Sequence, residues 1–497
     1  MRSFLLGLAS LSSVFVAAAP AAAAILKVGA GEAYATPCAA VAAAQPNDEI
    51  DISPGTYTDT CSIHVAGLTL KGVGGMPKID LSGGTPSGQK GIYVIDADNV
   101  TIENLELTGS HIDPSSGENG AGIRIEAQNL TVRGCYIHDN QDGILGAPPA
   151  AGGTLLIEGT EFARNGMGNG CNNGGCTHNV YIGANVQKLT FQYNWSHDLA
   201  TDTPDKGHLL KSRAQQTFVL YNRITGETDT DSYEVDIPQG GLAVLVGNLI
   251  QKPSTAGNPN MVAYAEEGAN NPDHRIFVAN NTFVSDKSSG TFLNITNGGV
   301  LTAHNNLFVG TATPSSTGPL SADNVSGVDP LFVDQAGYDY HLKAGSPAIG
   351  KGVAPGSADS FSLVPSQQYV QPLGSTARTD GGNTVGAFQY GATMGTSTSS
   401  SGGSGTGGSG TGGSGAGGSA SSGTSSSAGV GAGASGTGGT SAHGSASAGT
   451  GGSSPGSKSG CSVGGDKATT AGMPVALFAA LAWMARGRRR AARDRRG

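Results

Sequence analysis

Three short segments place ionisable groups at spacings that could do chemistry on an anionic substrate. They read His178-Asn179-Val180-Tyr181-Ile182-Gly183, Gly207-His208-Leu209-Leu210-Lys211-Ser212-Arg213 and Tyr233-Glu234-Val235-Asp236-Ile237. A fourth, Val262-Ala263-Tyr264-Ala265-Glu266, follows one step later. Each alternates like a short strand, in which residues two apart share a face. If the strands lie side by side, Tyr181, Lys211, Arg213, Glu234, Asp236, Tyr264 and Glu266 are expected on one outer surface. Only 13% of the chain is charged, so such a gathering asks for a reason. A strand spacing of about 4.8 Å would set Lys211 and Arg213 between Tyr181 and Asp236, with His178 and His208 reaching in from turns.

Three readings fit this set. β-Elimination at a uronic acid needs a cation on the sugar carboxylate and a base for the neighbouring proton. Arg213 offers the bidentate cation. Lys211 is the first base, its pKa expected to be lowered by Arg213 and burial, and Tyr181 the second; His208 would protonate the leaving oxygen. His178, Glu234, Asp236, Tyr264 and Glu266 would contact the substrate. Glycoside hydrolysis instead needs two carboxyl groups flanking the bond, which Asp236 and Glu266 could supply. In the third reading the chain is a non-catalytic adhesin, and Lys211, Asp236 and Glu266 only pair their charges. Cations, a tyrosine and acids arising on consecutive strands favour a functional site over incidental charge, and elimination is the first of the three readings. Calcium could assist: Asp202, Asp205, Asp229 and Asp231 lie on turns, although no compact oxygen-ligand loop is evident.

The elements that must position these residues repeat. An apolar-x-apolar run followed by Asn or Gly recurs from Leu68 to Phe308, as in Ile102-Glu103-Asn104, Val132-Arg133-Gly134, Leu220-Tyr221-Asn222 and Val278-Ala279-Asn280. The step is irregular but centres on roughly 29 residues, with two or three strand-like runs per unit and no helical run. Such a chain is expected to be an all-β solenoid, a single parallel β-helix. Asn222, Asn248, Asn280 and Asn305 are expected to stack as an internal ladder at the turns.

The ends sharpen the reading. Pro37 to Gln45 is an Ala-rich amphipathic helix followed by Asp48-Glu49-Ile50-Asp51-Ile52-Ser53-Pro54-Gly55-Thr56-Tyr57. Later come Asp329-Pro330-Leu331-Phe332-Val333, Tyr340-His341-Leu342, Gly345-Ser346-Pro347-Ala348-Ile349 and Val385-Gly386-Ala387-Phe388. These segments resemble the opening and closing motifs of the pectate-lyase-like right-handed parallel β-helix superfamily. The resemblance covers about residues 25–391 and implies that fold with a capping helix. It does not choose an activity, because the superfamily hosts lyases, hydrolases, epimerases, esterases and adhesins. The β-helix polygalacturonase pattern is absent, and Gly207-His208-Leu209 matches only half of its histidine motif.

Outside this domain the composition changes. Residues 1–24 read as a secretory signal, with Arg2, an apolar run from Phe4 to Ala19 and Ala22-Ala23-Ala24. Residues 392–460 are Gly/Ser/Thr-rich and are expected to form a flexible tether. Residues 461–497 begin at Cys461, continue through an apolar run from Ala471 to Ala485 and end in an arginine cluster. The apolar run is short for a span of about 20 residues. The order Gly460-Cys461, apolar run, arginine cluster resembles the myxobacterial C-terminal sorting domain, which implies processing near Cys461 and display on the cell surface. The net charge of −9 becomes more negative once that basic tail is set aside, which argues against nucleic acid as a partner. An acidic polysaccharide, met by a monomer, is the expected partner. In an exported chain Cys171 and Cys176 are expected to pair, as are Cys38 and Cys61, leaving Cys135 buried.

Overall fold

The computed structural model describes residues 22–166, 178–200, 207–227 and 230–392. The signal segment, the tether, the tail with Cys461, and the Cys171 and Cys176 loop all lie outside them or at their edge. Among the described residues, three long parallel sheets wind into a β-helix, as the repeat predicts. Sheet I has eleven strands, from Ile25–Val28 to Val300–His304. Sheet II has ten, from Cys61–Ile63 to Thr313–Ser315, and sheet III eleven, from Thr56–Tyr57 to Val325–Ser326.

The apolar positions of the repeat face inward in register. Ile50, Leu70, Ile102, Val132 and Ile157 lie side by side on successive strands of sheet I. The same row runs on through Phe191, Val219, Leu245 and Val278. All belong to one continuous core, which is how a solenoid buries what a single coil cannot. The helix Pro37–Ala43 covers the first coil, with its proline at the first turn, where no N–H is needed. Its Cys38 is bridged to Cys61 in the first strand of sheet II. Cys135 is a buried thiol, pushed up to about 12 by burial.

The asparagine ladder exists, one residue out of the expected register for half its length. Asn194, Asn222, Asn248, Asn281 and Asn306 stack, each backbone N–H donating to the next Oδ1 at 2.9–3.0 Å. Asn280 and Asn305 instead take the left-handed position just before it, which Tyr193, Tyr221 and Gly247 fill on earlier coils. Their carboxamides bind the returning C-terminal chain, Asn280 at Thr384 O and Asn305 at Val353 O.

That returning chain decides which outer face stays available. Three antiparallel hairpins follow the solenoid. Phe332, Tyr340, Tyr369 and Phe388 pack on outward Leu249, Val284 and Leu307 of sheet III. Ala358 and Leu363 pack on outward Phe218, Leu242 and Val244 of sheet I. These two sheets therefore carry apolar residues on their outer faces. The corresponding stretch of sheet II carries charge.

Candidate functional site on sheet II

The outward row of sheet II runs Leu145, Tyr181, Lys211, Asp236, Ala263, Asn294, each beside the next. Strand alternation thus delivers Tyr181, Lys211 and Asp236 to one face as expected. Arg213 sits one residue beyond the strand Leu210–Ser212, and its N–H continues the ladder to Ile182 O at 2.8 Å. It keeps the outward parity of Lys211.

Two of the expected members point the other way. Tyr264 has the inward parity of Val262, belongs to the main core and donates from Oη to Gly241 O at 2.7 Å. A Cβ at Gly299 would come within 2.8 Å of its ring, so the neighbouring turn needs glycine there. Glu234 lies at the turn entering its strand, level with the core residue Leu209, and it too turns inward. It meets Lys252 Nζ at 3.0 Å, both fully buried, with Asp231 3.8 Å from the same ammonium. Burial and Asp231 push the Glu234 carboxyl well above the ordinary range. Lys252 lies between the third and fourth motifs, at the end of a sheet III strand, and carried no sequence signal of this role.

On the outer face the charges form one network. Lys211 Nζ lies 3.0 Å from Asp236 Oδ2 and 3.6 Å from Glu267 Oε1. Arg213 grips Glu267 with both Nη atoms, at 2.5 and 2.9 Å, and donates from Nε to Tyr181 Oη at 2.9 Å. Both cations also stand over the Tyr181 ring, 5.6 and 5.7 Å from its centroid. The Lys211 and Asp236 side chains are only 4% and 0% exposed. Burial alone would lower the lysine pKa, but Asp236 and Glu267 outweigh it and hold the ammonium above its usual value. This is the opposite of the expected lowering, and it leaves Lys211 a charged partner of both carboxylates. Glu267 completes the network from a loop, where no strand alternation could have pointed to it.

The histidines form a row of their own. His178 N–H donates to Asp142 Oδ1, His208 N–H to His178 Nδ1, and Tyr233 N–H to His208 Nδ1, at 2.9, 2.9 and 3.2 Å. The His178 and His208 rings stack at 4.9 Å. Because Nδ1 of His208 accepts, its proton sits on Nε2, 3.4 Å from Asp236 Oδ2. Burial, then Lys211, keeps His208 well below its usual pKa. The ring thus packs beneath the ion pair, with its Nε2 proton turned toward Asp236. Above it, Tyr233 Oη donates to Glu266 Oε2 at 2.7 Å. Burial first, and then the Asp236 charge, raise the Glu266 carboxyl to about 7.

For a cation, the described residues gather no set of three or more His, Cys, Asp or Glu arranged as ligands. Asp202, Asp205 and Asp229 lie outside the described residues, and Asp231 is taken up beside Lys252.

Residues 66–245 match the family described as the right handed beta helix region. No curated protein matches the sequence. Among solved structures, the chain is similar to the crystal structure of pectate lyase Pel9A, at 14% identity and a TM-score of 0.53, over 74% of this chain and 97% of that one. It also aligns with a rhamnogalacturonan lyase at 13% identity and a TM-score of 0.44, over 63% and 91% of the two chains. A pectin methylesterase from Aspergillus niger aligns at 13% identity and a TM-score of 0.36, over 62% and 92%. The family match and the first likeness give the fold: a right-handed parallel β-helix.

Proposed function

We propose that this chain is a carbohydrate-active protein, a polysaccharide lyase that cleaves uronic-acid-containing polymers by β-elimination on the outer face of sheet II. One observation carries the reading. Two fixed cations, a partly buried tyrosine and a carboxyl that keeps its proton near neutral pH converge on the outer face of sheet II, beside the coils whose sheet I and III faces the returning chain covers. A pectate lyase built on the same fold supports the reading without deciding it.

Each residue then has a defined part. The Arg213 fork already holds a carboxylate, that of Glu267, in the bidentate geometry a uronate would need. A substrate carboxylate would exchange with Glu267 there. Lys211, fixed by Asp236 and the neutral His208 beneath, adds positive potential where charge builds up in the transition state. Tyr181 Oη is oriented by Arg213 Nε and, acting as the phenolate, takes the proton from C5. A C4–C5 double bond forms, the C4–O bond breaks, and the Glu266 proton passes to the leaving oxygen. Balance is kept: one proton is taken and one is given.

A second reading rests on Glu266 itself. A carboxyl raised to about 7 is also what the acid of a glycoside hydrolase requires. Incubation with a panel of uronic-acid polymers separates the two. Elimination leaves an unsaturated sugar that absorbs in the ultraviolet; hydrolysis leaves new reducing ends without that absorbance. Neither product from any polymer would favour a binding-only protein. We further propose that the chain is exported by residues 1–24 and held at the cell surface after processing near Cys461.

A further inference from the structure

Beside the sheet II site, at the turn into sheet I, lies an open groove of about 630 Å³. Gln187, Gln215 and Gln216 line it from two successive coils, and Pro272, Asp273, His274 and Arg275 form the facing wall. The volume falls in the range of ligand sites. Among the described residues, none of the three glutamine carboxamides makes a hydrogen bond to the protein. Each has two donor hydrogens and an acceptor oxygen to offer. The one guanidinium in the wall is already held: Arg275 lies between Asp273, at 2.6 Å, and Asp359, at 2.8 Å. The groove is thus rich in neutral donors and acceptors, and its cation is spent.

The groove is joined to the site by covalent and hydrogen-bonded links. Gln215 is two residues from Arg213, so their backbones are within about 7 Å. One loop serves both places, with Glu266 and Glu267 at its start and Pro272 to Arg275 at its end. Asn271 pins that loop, donating to Ala214 O at 3.1 Å and Gly240 O at 2.9 Å.

We propose that this groove is a saccharide subsite that takes uncharged, hydroxyl-bearing units of the polymer whose uronate is held at Arg213. Carboxamides bonding to hydroxyls and ring oxygens give it that preference, and the two carboxylates around Arg275, Asp273 and Asp359, leave the wall net negative and repel a uronate. The substrate implied is a chain in which charged and uncharged sugars alternate or are interspersed, such as a partly esterified uronan. This inference rests on the lyase reading for its polymer but not for its binding.

Affinity electrophoresis of the full chain tests it, with polygalacturonate and highly methyl-esterified pectin as the two probes in the gel. Gln187→Ala and Gln187→Ala/Gln215→Ala should weaken retardation by the esterified probe, by about 5-fold for each carboxamide lost. Retardation by polygalacturonate should change less than 2-fold. Gln187 is exposed, so its substitution leaves the coil intact. Variants bound by the esterified probe as tightly as the wild type would overturn the subsite, as would a wild type that the esterified probe does not retard. Loss of binding in the glutamine variants, with no elimination product from any polymer, would uphold the groove and refute only the lyase.

Discussion

Replacing Asp236 by Asn removes one charge from a pair that water does not reach. Lys211 Nζ stands 3.0 Å from Asp236 Oδ2 and 3.6 Å from Glu267 Oε1. At an effective dielectric of ~20, a unit pair at the first distance is worth about 5–6 kcal/mol before desolvation. In the variant Glu267 remains, but it is shared with Arg213, so it compensates Lys211 only in part. The expected loss of stability is therefore about 3–5 kcal/mol, the cost of stranding a buried charge. The assay is equilibrium urea unfolding followed by far-ultraviolet circular dichroism, with the slope checked for constancy. Asp236→Asn combined with Lys211→Met should recover most of the loss, because no charge is then stranded. A single-variant loss below about 1 kcal/mol, or a double variant no better than the single, would refute the argument. Lys211→Ala, for the same reason, strands Asp236 and would mix stability with chemistry.

Glu266 should give the fold a pH dependence. Its folded carboxyl sits at about 7 against an ordinary 4.5, so the folded state holds that proton more tightly. The associated stability is complete below about pH 4.5 and is lost as the pH rises to about 7; Glu266→Gln should flatten that window in unfolding curves. Asn248→Ala removes an acceptor from Asn222 N–H and donors from Val219 O and Asn281 Oδ1. Asn281 Oδ1 keeps the backbone N–H of residue 248, so a loss of about 2 kcal/mol or more in urea unfolding is expected, at about 1–3 kcal/mol for each of the two groups stranded. Cys461→Ala should abolish surface display, with unprocessed tail seen by mass spectrometry; unchanged display would count against the sorting proposal.

The fold was legible because a solenoid writes its period into the chain. The inward rows and the ladder at Asn222 and Asn248 follow from local pattern alone. The ladder slipped at Asn280 and Asn305 because consecutive asparagines, Asn280-Asn281 and Asn305-Asn306, offer two registers, and only the left-handed turn selects the second. The site was half legible. Tyr181, Lys211 and Asp236 obey alternation, and Arg213 extends it. Tyr264 was placed one residue out of phase, although the flanking Val262 and its own aromatic bulk suit the interior. Glu234 lies before its strand begins, where the period of two does not yet apply. Glu267 and Lys252 meet the site through loop geometry and long-range contact, which no short window of sequence contains. The direction of the Lys211 shift was misjudged for that reason, since one of its two stabilising carboxylates had not been found.

The central claim is that a uronate is held at Arg213 and broken by elimination. Initial rates on polygalacturonate, read from the ultraviolet absorbance of the C4–C5 double bond, test it most directly. The account predicts that the wild type generates this absorbance and that Arg213→Ala, with an unchanged β-sheet spectrum, is slower by ~100-fold or more. New reducing ends without absorbance, or an Arg213→Ala rate near that of the wild type, would contradict it.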